Sequence, residues 1–241
     1  MSSPYTSVHQ AIRQHLQGET FFAGFTIANQ GSVSIRSAGN LPEASLPISA
    51  EPGLEILCET ILVCQKCPLG KSRTQAVPGE GHVQAQLMFV GEAPGADEDV
   101  QGRPFVGPAG KLLDKIIAGC GLQRGNVYIA NTLKCRPPGN RDPHPDEIAS
   151  CLPYLEQQVR AIQPQIIVAL GAHAARTVLG KSETIGRLRG QFLPCALVPE
   201  VNVMATYHPA YLLRNYTREN RARVWEDMKK VLAELGLPVP K

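Results

Sequence analysis

No stretch of this 241-residue chain approaches the ~20 consecutive apolar residues needed to cross a bilayer. Nor does it open with a basic segment followed by an apolar one, so a cytoplasmic home is expected rather than export. The sequence has no GxGxxG fingerprint, and residues 102–107 lack the Lys-Ser or Lys-Thr that would complete a P-loop. Charge of one sign is scarce too. A formal net charge of +3 permits a nucleic-acid partner without demanding one, because local clustering of Lys and Arg is what matters. What remains is a chain with 43% hydrophobic and 19% charged residues, enough for one α/β domain with a sizeable core plus an extension. In a reducing compartment its seven cysteines are expected as ligands or buried thiols rather than disulfides.

Residues 1–53 differ from the rest. Val8, Ile12 and Leu16 have helical spacing, and Phe25, Ile27, Val33 and Ile35 alternate around a turn, as in a hairpin. Residues 37–53, rich in Ser, Ala, Gly and Pro, resemble a linker. From residue 54 to 241, strand and helix patterns alternate. Strands are expected at 87–90, 127–131, 166–170, 193–198 and 201–205. Helices are expected at 108–119, 145–162, 171–179 and about 218–235. This alternation indicates a parallel sheet with helices on both faces and a site where loops leave the strands' carboxyl ends.

Four cysteines form the first constellation: Cys64 and Cys67 as C-x2-C, then after 67 residues Cys135 and Cys151 as C-x15-C. Four thiolates on one metal or iron–sulfur cluster explain the pattern better than a chance helix turn plus two core thiols. Pro68 follows the first pair, and Cys135 and Cys151 are expected in or beside loops. Zinc and a [4Fe–4S] cluster fit equally well. Cys58, Cys120 and Cys195 have apolar neighbours and are expected in the core. The second constellation is polar. Gly91-Glu92-Ala93-Pro94-Gly95 follows a strand and places Glu92 beside its end; Phe105, between Gly102 and Gly107, is a platform for a flat ring. Asn131 ends a strand, where its amide offers one donor and one acceptor to a base edge. His208-Pro209 follows another strand, ahead of Tyr211, Leu212 and Arg214, a mixture suited to a duplex wedge with Arg214 on a phosphate. Lys134, Arg136 and Arg141 add a basic patch.

In order along the chain, CxxC, GEAPG with Glu98 and Asp99, GRPFVG, NTLKCRPPGNR, Cys151 and HPAYLLR resemble family 4 of the uracil-DNA glycosylase superfamily, the iron–sulfur type. The resemblance spans about residues 54–235. It implies a three-layer α/β/α fold around a four-stranded parallel sheet, and a structural [4Fe–4S] cluster on Cys64, Cys67, Cys135 and Cys151. It also implies a monomer that hydrolyses the N-glycosidic bond of uracil in single- or double-stranded DNA, leaving an abasic site in base excision repair. Phe105 would stack on the flipped uracil, Asn131 would read its Watson–Crick edge, and His208 would donate to O2. Glu92, Ala93 and Glu98 would line the base pocket; Arg136, Arg141, Tyr211, Leu212 and Arg214 would hold DNA.

Two departures from the superfamily's GQDPYH branch carry weight. Ala93 stands where that branch has a water-positioning Asp, so a dissociative cleavage without a general base is expected, with Asn140 placing the water and Glu92 counted with His208 among the catalytic residues without an assigned step. Gly95 stands where it has a Tyr against the thymine methyl, which leaves thymine exclusion to the Glu98 region. The competing readings are a non-catalytic DNA-binding relative, a branch that bonds covalently to the abasic site and carries a basic insertion ending in His after the second strand (absent here, although His144 lies nearby), and a zinc-stabilised nucleotide-binding protein.

Overall fold

The computed structural model describes residues 51–240. The helical spacing and the hairpin expected within residues 1–50 lie outside the described residues. The elements in chain order are α1 (Glu51–Leu62), α2 (Leu69–Ser72), β1 (Glu80–Gly81), β2 (Leu87–Gly91), α3 (Ala96–Gln101), α4 (Pro108–Gly119) and β3 (Tyr128–Asn131). Next come α5 (Pro145–Ile162), β4 (Ile166–Leu170), α6 (Gly171–Leu179), α7 (Ile185–Leu188), β5 (Phe192–Pro194), β6 (Asn202–Thr206), α8 (Pro209–Arg214) and α9 (Arg218–Glu234). The first helix starts at Glu51, inside the stretch expected as linker.

Strands β2, β3 and β4 are buried along their whole length, the signature of sheet strands covered on both faces. Side chains alternate between two cores. Met88, Val90, Tyr128, Ala130, Ile167, Ala169, Val203 and Ala205 point to one, where they meet Leu54, Leu57 and Ile61 of α1, Leu155 and Val159 of α5 and Val178 of α6. Leu87, Phe89, Ile129, Ile166, Val168 and Met204 point to the other, where they meet Leu113 and Ile117 of α4 and Val224, Met228 and Val231 of α9. The layers are therefore helix, sheet, helix.

The strand order is β1-β3-β2-β4-β6-β5. The four central strands are parallel, as expected, but the sheet has six strands, not four. Two short antiparallel strands finish its edges: β1 on β3 and β5 on β6. Neither carries the long apolar run that marks the central four. The strand expected at 193–198 shrinks to Phe192–Pro194 at the edge, where a proline with no N–H to donate is tolerated.

Register sets the position of the site. Gly91 pairs with Asn131, Ala169 with Ala205, and Leu170 with Thr206. The carboxyl ends of the four parallel strands are thus level, and the next residues of each, Glu92, Thr132, Gly171 and Tyr207, open onto the same end of the sheet.

Candidate active site

A cleft of about 670 Å³ opens at that end. Glu92, Ala93, Gly95, Glu98, Phe105, Asn131, Asn140, Arg141, His208, Tyr211 and Arg214 all line it, so most of the residues singled out in the sequence meet in one place. Asp142, His173 and Tyr207 complete its wall.

Asn131 ends β3 and is 2% exposed. Its Oδ1 is the one buried side-chain N or O atom among the described residues that lacks a hydrogen-bond partner. Leaving such an acceptor unpaired costs about 1–3 kcal/mol, a cost a bound donor would remove. Gly91, its neighbour across the ladder, makes room for it. A Cβ on Gly91 would lie 2.4 Å from Asn131 Oδ1 and 2.5 Å from Phe105 Cζ, so the amide and the ring both press against bare backbone.

Phe105 adopts φ +50°, a left-handed conformation that β-carbon-bearing residues avoid. Glu98 holds it there. One carboxylate oxygen accepts from the N–H groups of Val106 (2.8 Å) and Gly107 (2.9 Å), and the other accepts from Gly95 N–H at 3.0 Å. Glu98 therefore ties the GEAPG loop to the GRPFVG loop, with its oxygens spent on backbone amides. Arg124 donates to the carbonyl of Pro104 from outside, while Gly110 lets the first turn of α4 pass against the Phe105 backbone. A Cβ on Gly95 would lie 2.7 Å from Glu98 Oε2, so no larger side chain fits there without displacing the carboxylate.

His208 caps α8 through Nδ1, which accepts from Ala210 N–H at 3.0 Å. With Nδ1 an acceptor, the proton of the neutral ring sits on Nε2, which is left as a donor. Burial drives its pKa down to about 4, aided by the Arg214 charge and opposed by Glu98. The ring lies 5.7 Å from Phe105, tilted by 31°.

Glu92, Asp142 and His173 offer ligand atoms that all lie within 4.8 Å of one another. Burial raises the pKa of Glu92; His173 opposes the shift and Asp142 adds to it. Asn140 sits at the rim, and its Oδ1 accepts from Arg136 Nε at 2.7 Å, which leaves Nδ2 as its free group.

Four expectations need correction. Leu212 is 2% exposed and packed in the core beneath the sheet, because α8 turns it inward; Leu213, 46% exposed, and Tyr211 face outward instead. Arg141 is clamped by both oxygens of Glu147 (2.6 and 2.9 Å), a pairing that holds the Glu147 carboxyl down at about 2. It therefore braces the start of α5 rather than hanging free as a phosphate arm. Lys134 is buried and contributes nothing to a surface patch. Cys151 lies within helix α5, not beside a loop. His144 begins the same helix and is not among the residues lining the cleft.

The four cysteines do converge. Cys64, Cys67, Cys135 and Cys151 line one small cavity with Arg73, Lys134 and Tyr154. N–H donors aim at the sulfurs: Arg73 Nη1 on Cys135 (2.9 Å), Lys134 N on Cys151 (3.2 Å) and Lys66 N on Cys64 (3.5 Å). Such donors stabilise thiolate over thiol, as metal ligation requires. Cys120 and Cys195 are buried apart from this set, as expected, and Cys58 is half-buried.

The uracil DNA glycosylase superfamily matches residues 78–229, a span that holds every cleft residue named above. The chain belongs to that superfamily. Among its relatives within the superfamily, a type-4 uracil-DNA glycosylase of Saccharolobus solfataricus is 46% identical over 189 residues, covering 76% of this chain and 87% of that protein. One of Archaeoglobus fulgidus is 45% identical over 183 residues, 74% of this chain and 91% of that protein. One of Thermotoga maritima is 46% identical over 178 residues, 73% and 92% respectively. Arg73, Arg124, Asp142 and His173 escaped the sequence reading of this superfamily member, since each acts across a long gap in the chain and none sits in a recognisable motif.

The Glu98 carboxylate generates a direct test. Glu98→Ala leaves three backbone N–H groups unpaired and releases the left-handed turn at Phe105. A loss of about 1–3 kcal/mol in urea unfolding is expected, together with weaker binding of any flat ligand in the cleft. Unchanged unfolding and binding would show that the two loops hold themselves.

Proposed function

We propose that this protein is a monofunctional uracil-DNA glycosylase acting in base excision repair, on single- or double-stranded DNA, as a cytoplasmic monomer. One observation carries the reading: a dry, unpartnered amide oxygen on Asn131 beside an aromatic ring held in a strained turn and an imidazole with a free N–H. Uracil supplies the missing donor as N3–H and takes the amide N–H at O4. Cytosine presents the reverse pattern and would leave both groups unpaired, so it is rejected.

In the reaction the C1′–N1 bond breaks and its electrons leave with the uracil ring, where charge gathers on O2. His208 Nε2–H donates to that oxygen. Water then attacks C1′, forming the C1′–O bond of the abasic site, and loses its proton towards Glu92. Asn140 Nδ2 is free to donate to the water oxygen, while its Oδ1 already accepts from Arg136 Nε. An amide is too weak a base to take the proton, and Glu92, a carboxylate lining the same cleft, is the acceptor, with His173 and Asp142 around it. Ala93 takes no part. Tyr211, Leu213 and Arg214 form the exposed edge that meets DNA; Arg136 braces Asn140, and Arg141 braces α5.

Cys64, Cys67, Cys135 and Cys151 would hold a [4Fe–4S] cluster, which when bound cross-links α5, the segment after β3 and the CxxC turn. All four are thiols with N–H donors on three of the sulfurs, a donor set that fits iron–sulfur ligation and that zinc would also accept.

Five outcomes test the reading. Purified protein should release uracil from an oligonucleotide and leave an alkali-labile site. His208→Ala should lower kcat by about 10²–10³-fold, and Asn131→Leu should lower kcat/KM by at least ~10²-fold, with the fold intact. Failure of the unaltered protein to excise uracil would overturn the assignment. Glu92→Gln should lower kcat by about 10²-fold and remove an acid limb in which activity rises with pH through a carboxyl displaced above its ordinary range. An unaltered limb in that variant would exclude Glu92 as the acceptor. Anaerobically prepared protein should absorb near ~400 nm through its thiolate-bound iron and lose that band on oxidation, whereas a colourless preparation would favour zinc.

A further inference from the structure

Lys134 is 1% exposed, yet no carboxylate pairs with it among the described residues. Its Nζ donates to two neutral oxygens: the backbone carbonyl of Asn131 at 2.8 Å and Gln158 Oε1 at 2.6 Å. Gln158 is itself fully buried and fixed, its Nε2 donating to the Pro78 carbonyl at 2.8 Å. A buried ammonium with only neutral acceptors is costly, by several kcal/mol. The ionisable groups around it are thiols, those of Cys151, Cys58 and Cys135. Two of these three belong to the cysteine cavity, which Lys134 also lines, and its own backbone N–H reaches Cys151 Sγ.

We propose that Lys134 is the counter-ion of the thiolate-bound cluster and, through the same ammonium, the positioning residue for Asn131. The negative charge of the ligated cysteines keeps the cation in the interior. The cation in turn fixes the last carbonyl of β3, the residue whose side chain reads the base. The cluster and the base pocket are thus joined by one side chain, which gives a cluster remote from the chemistry a route to base recognition. This inference rests on the [4Fe–4S] and uracil readings given above.

The experiment uses the full-length holoprotein and two neutral variants, Lys134→Met and Lys134→Gln, with cluster occupancy matched by the band near ~400 nm. Removing a positive charge beside the cluster makes it harder to reduce, so voltammetry should place both variants at a lower midpoint potential than the unaltered protein. Excision should separate them. Lys134→Met leaves the Asn131 carbonyl without its donor, and kcat should fall roughly 10- to 100-fold with KM for uracil DNA little changed, because the DNA-facing edge is untouched. Lys134→Gln keeps an amide donor and should recover part of that loss at the same lowered potential. An unchanged potential in either variant would overturn the counter-ion role, and full kcat in Lys134→Met would overturn the positioning role. If Lys134→Met does not accumulate as folded holoprotein, Lys134→Gln carries the potential measurement and an intermediate kcat is its expected result. A colourless unaltered protein would remove the cluster assignment and this inference together. A coloured protein inert on uracil would remove the substrate assignment, while the potential shift would still decide the counter-ion role.

Discussion

One amide oxygen is kept dry at the end of β3, and much of the surrounding architecture exists to keep it so. Asn131 Oδ1 is buried without a partner. An amide free to turn would find water or a backbone N–H, and the discrimination it offers would be lost. Gly91 denies it space on one side, since any Cβ there would collide with the amide. Phe105 closes another side in a backbone conformation that Glu98 sustains through three N–H groups. From behind, Lys134 holds the main chain of the same residue. Each of these arrangements is unfavourable or exposed to failure alone: a left-handed phenylalanine, a buried carboxylate, a buried ammonium. Together they fix one acceptor, and a ligand that supplies the donor recovers the cost of leaving it bare.

Much of this is legible in the amino-acid sequence. Helices α4, α5 and α6 and strand β4 fall on their expected limits because their apolar spacing and glycine or proline boundaries are strong local signals. The four parallel strands are legible for the same reason. Edge strands β1 and β5 are not, since two or three residues of mixed exposure carry no periodicity. Within the site, Asn131, Phe105 and His208 stand out because each follows or faces a strand end in a glycine- or proline-marked loop. The error at Leu212 has a simple origin. Three successive residues, Tyr211, Leu212 and Leu213, look alike as a wedge, and the phase of a six-residue helix decides which of them faces the sheet.

Charge bookkeeping was the least legible part. Lys134, Arg136 and Arg141 sit within eight residues and suggest a basic surface, yet only geometry reveals that they do three different things. Lys134 is buried against α5 and the cysteine cavity, Arg136 holds the amide of Asn140, and Arg141 grips Glu147 with two parallel hydrogen bonds. A guanidinium forked onto a carboxylate has little left for a phosphate. The partners of all three are supplied by tertiary packing, and no spacing rule anticipates them. The cysteine set is the opposite case: its convergence follows from residue type and motif, although its place on helix α5 does not.

The environment of His208 also limits how the bond can be broken. Burial holds the His208 imidazole down at about 4, so it is neutral near pH 7 and, in the proposed reaction, offers the departing base a hydrogen bond rather than a proton. It can offer only an N–H, and the Nδ1 contact to Ala210 ensures that the offered N–H is on Nε2. A neutral donor stabilises charge that has already formed on O2, and its value grows as that charge grows. It does most where bond cleavage runs ahead of water attack. The adjoining loop has Ala93, which cannot act as a base, and burial raises the pKa of its neighbour Glu92. In the proposed reaction, a neutral donor on the leaving group and no base at Ala93 favour the same order of events: the base departs as an anion, and the sugar is captured afterwards.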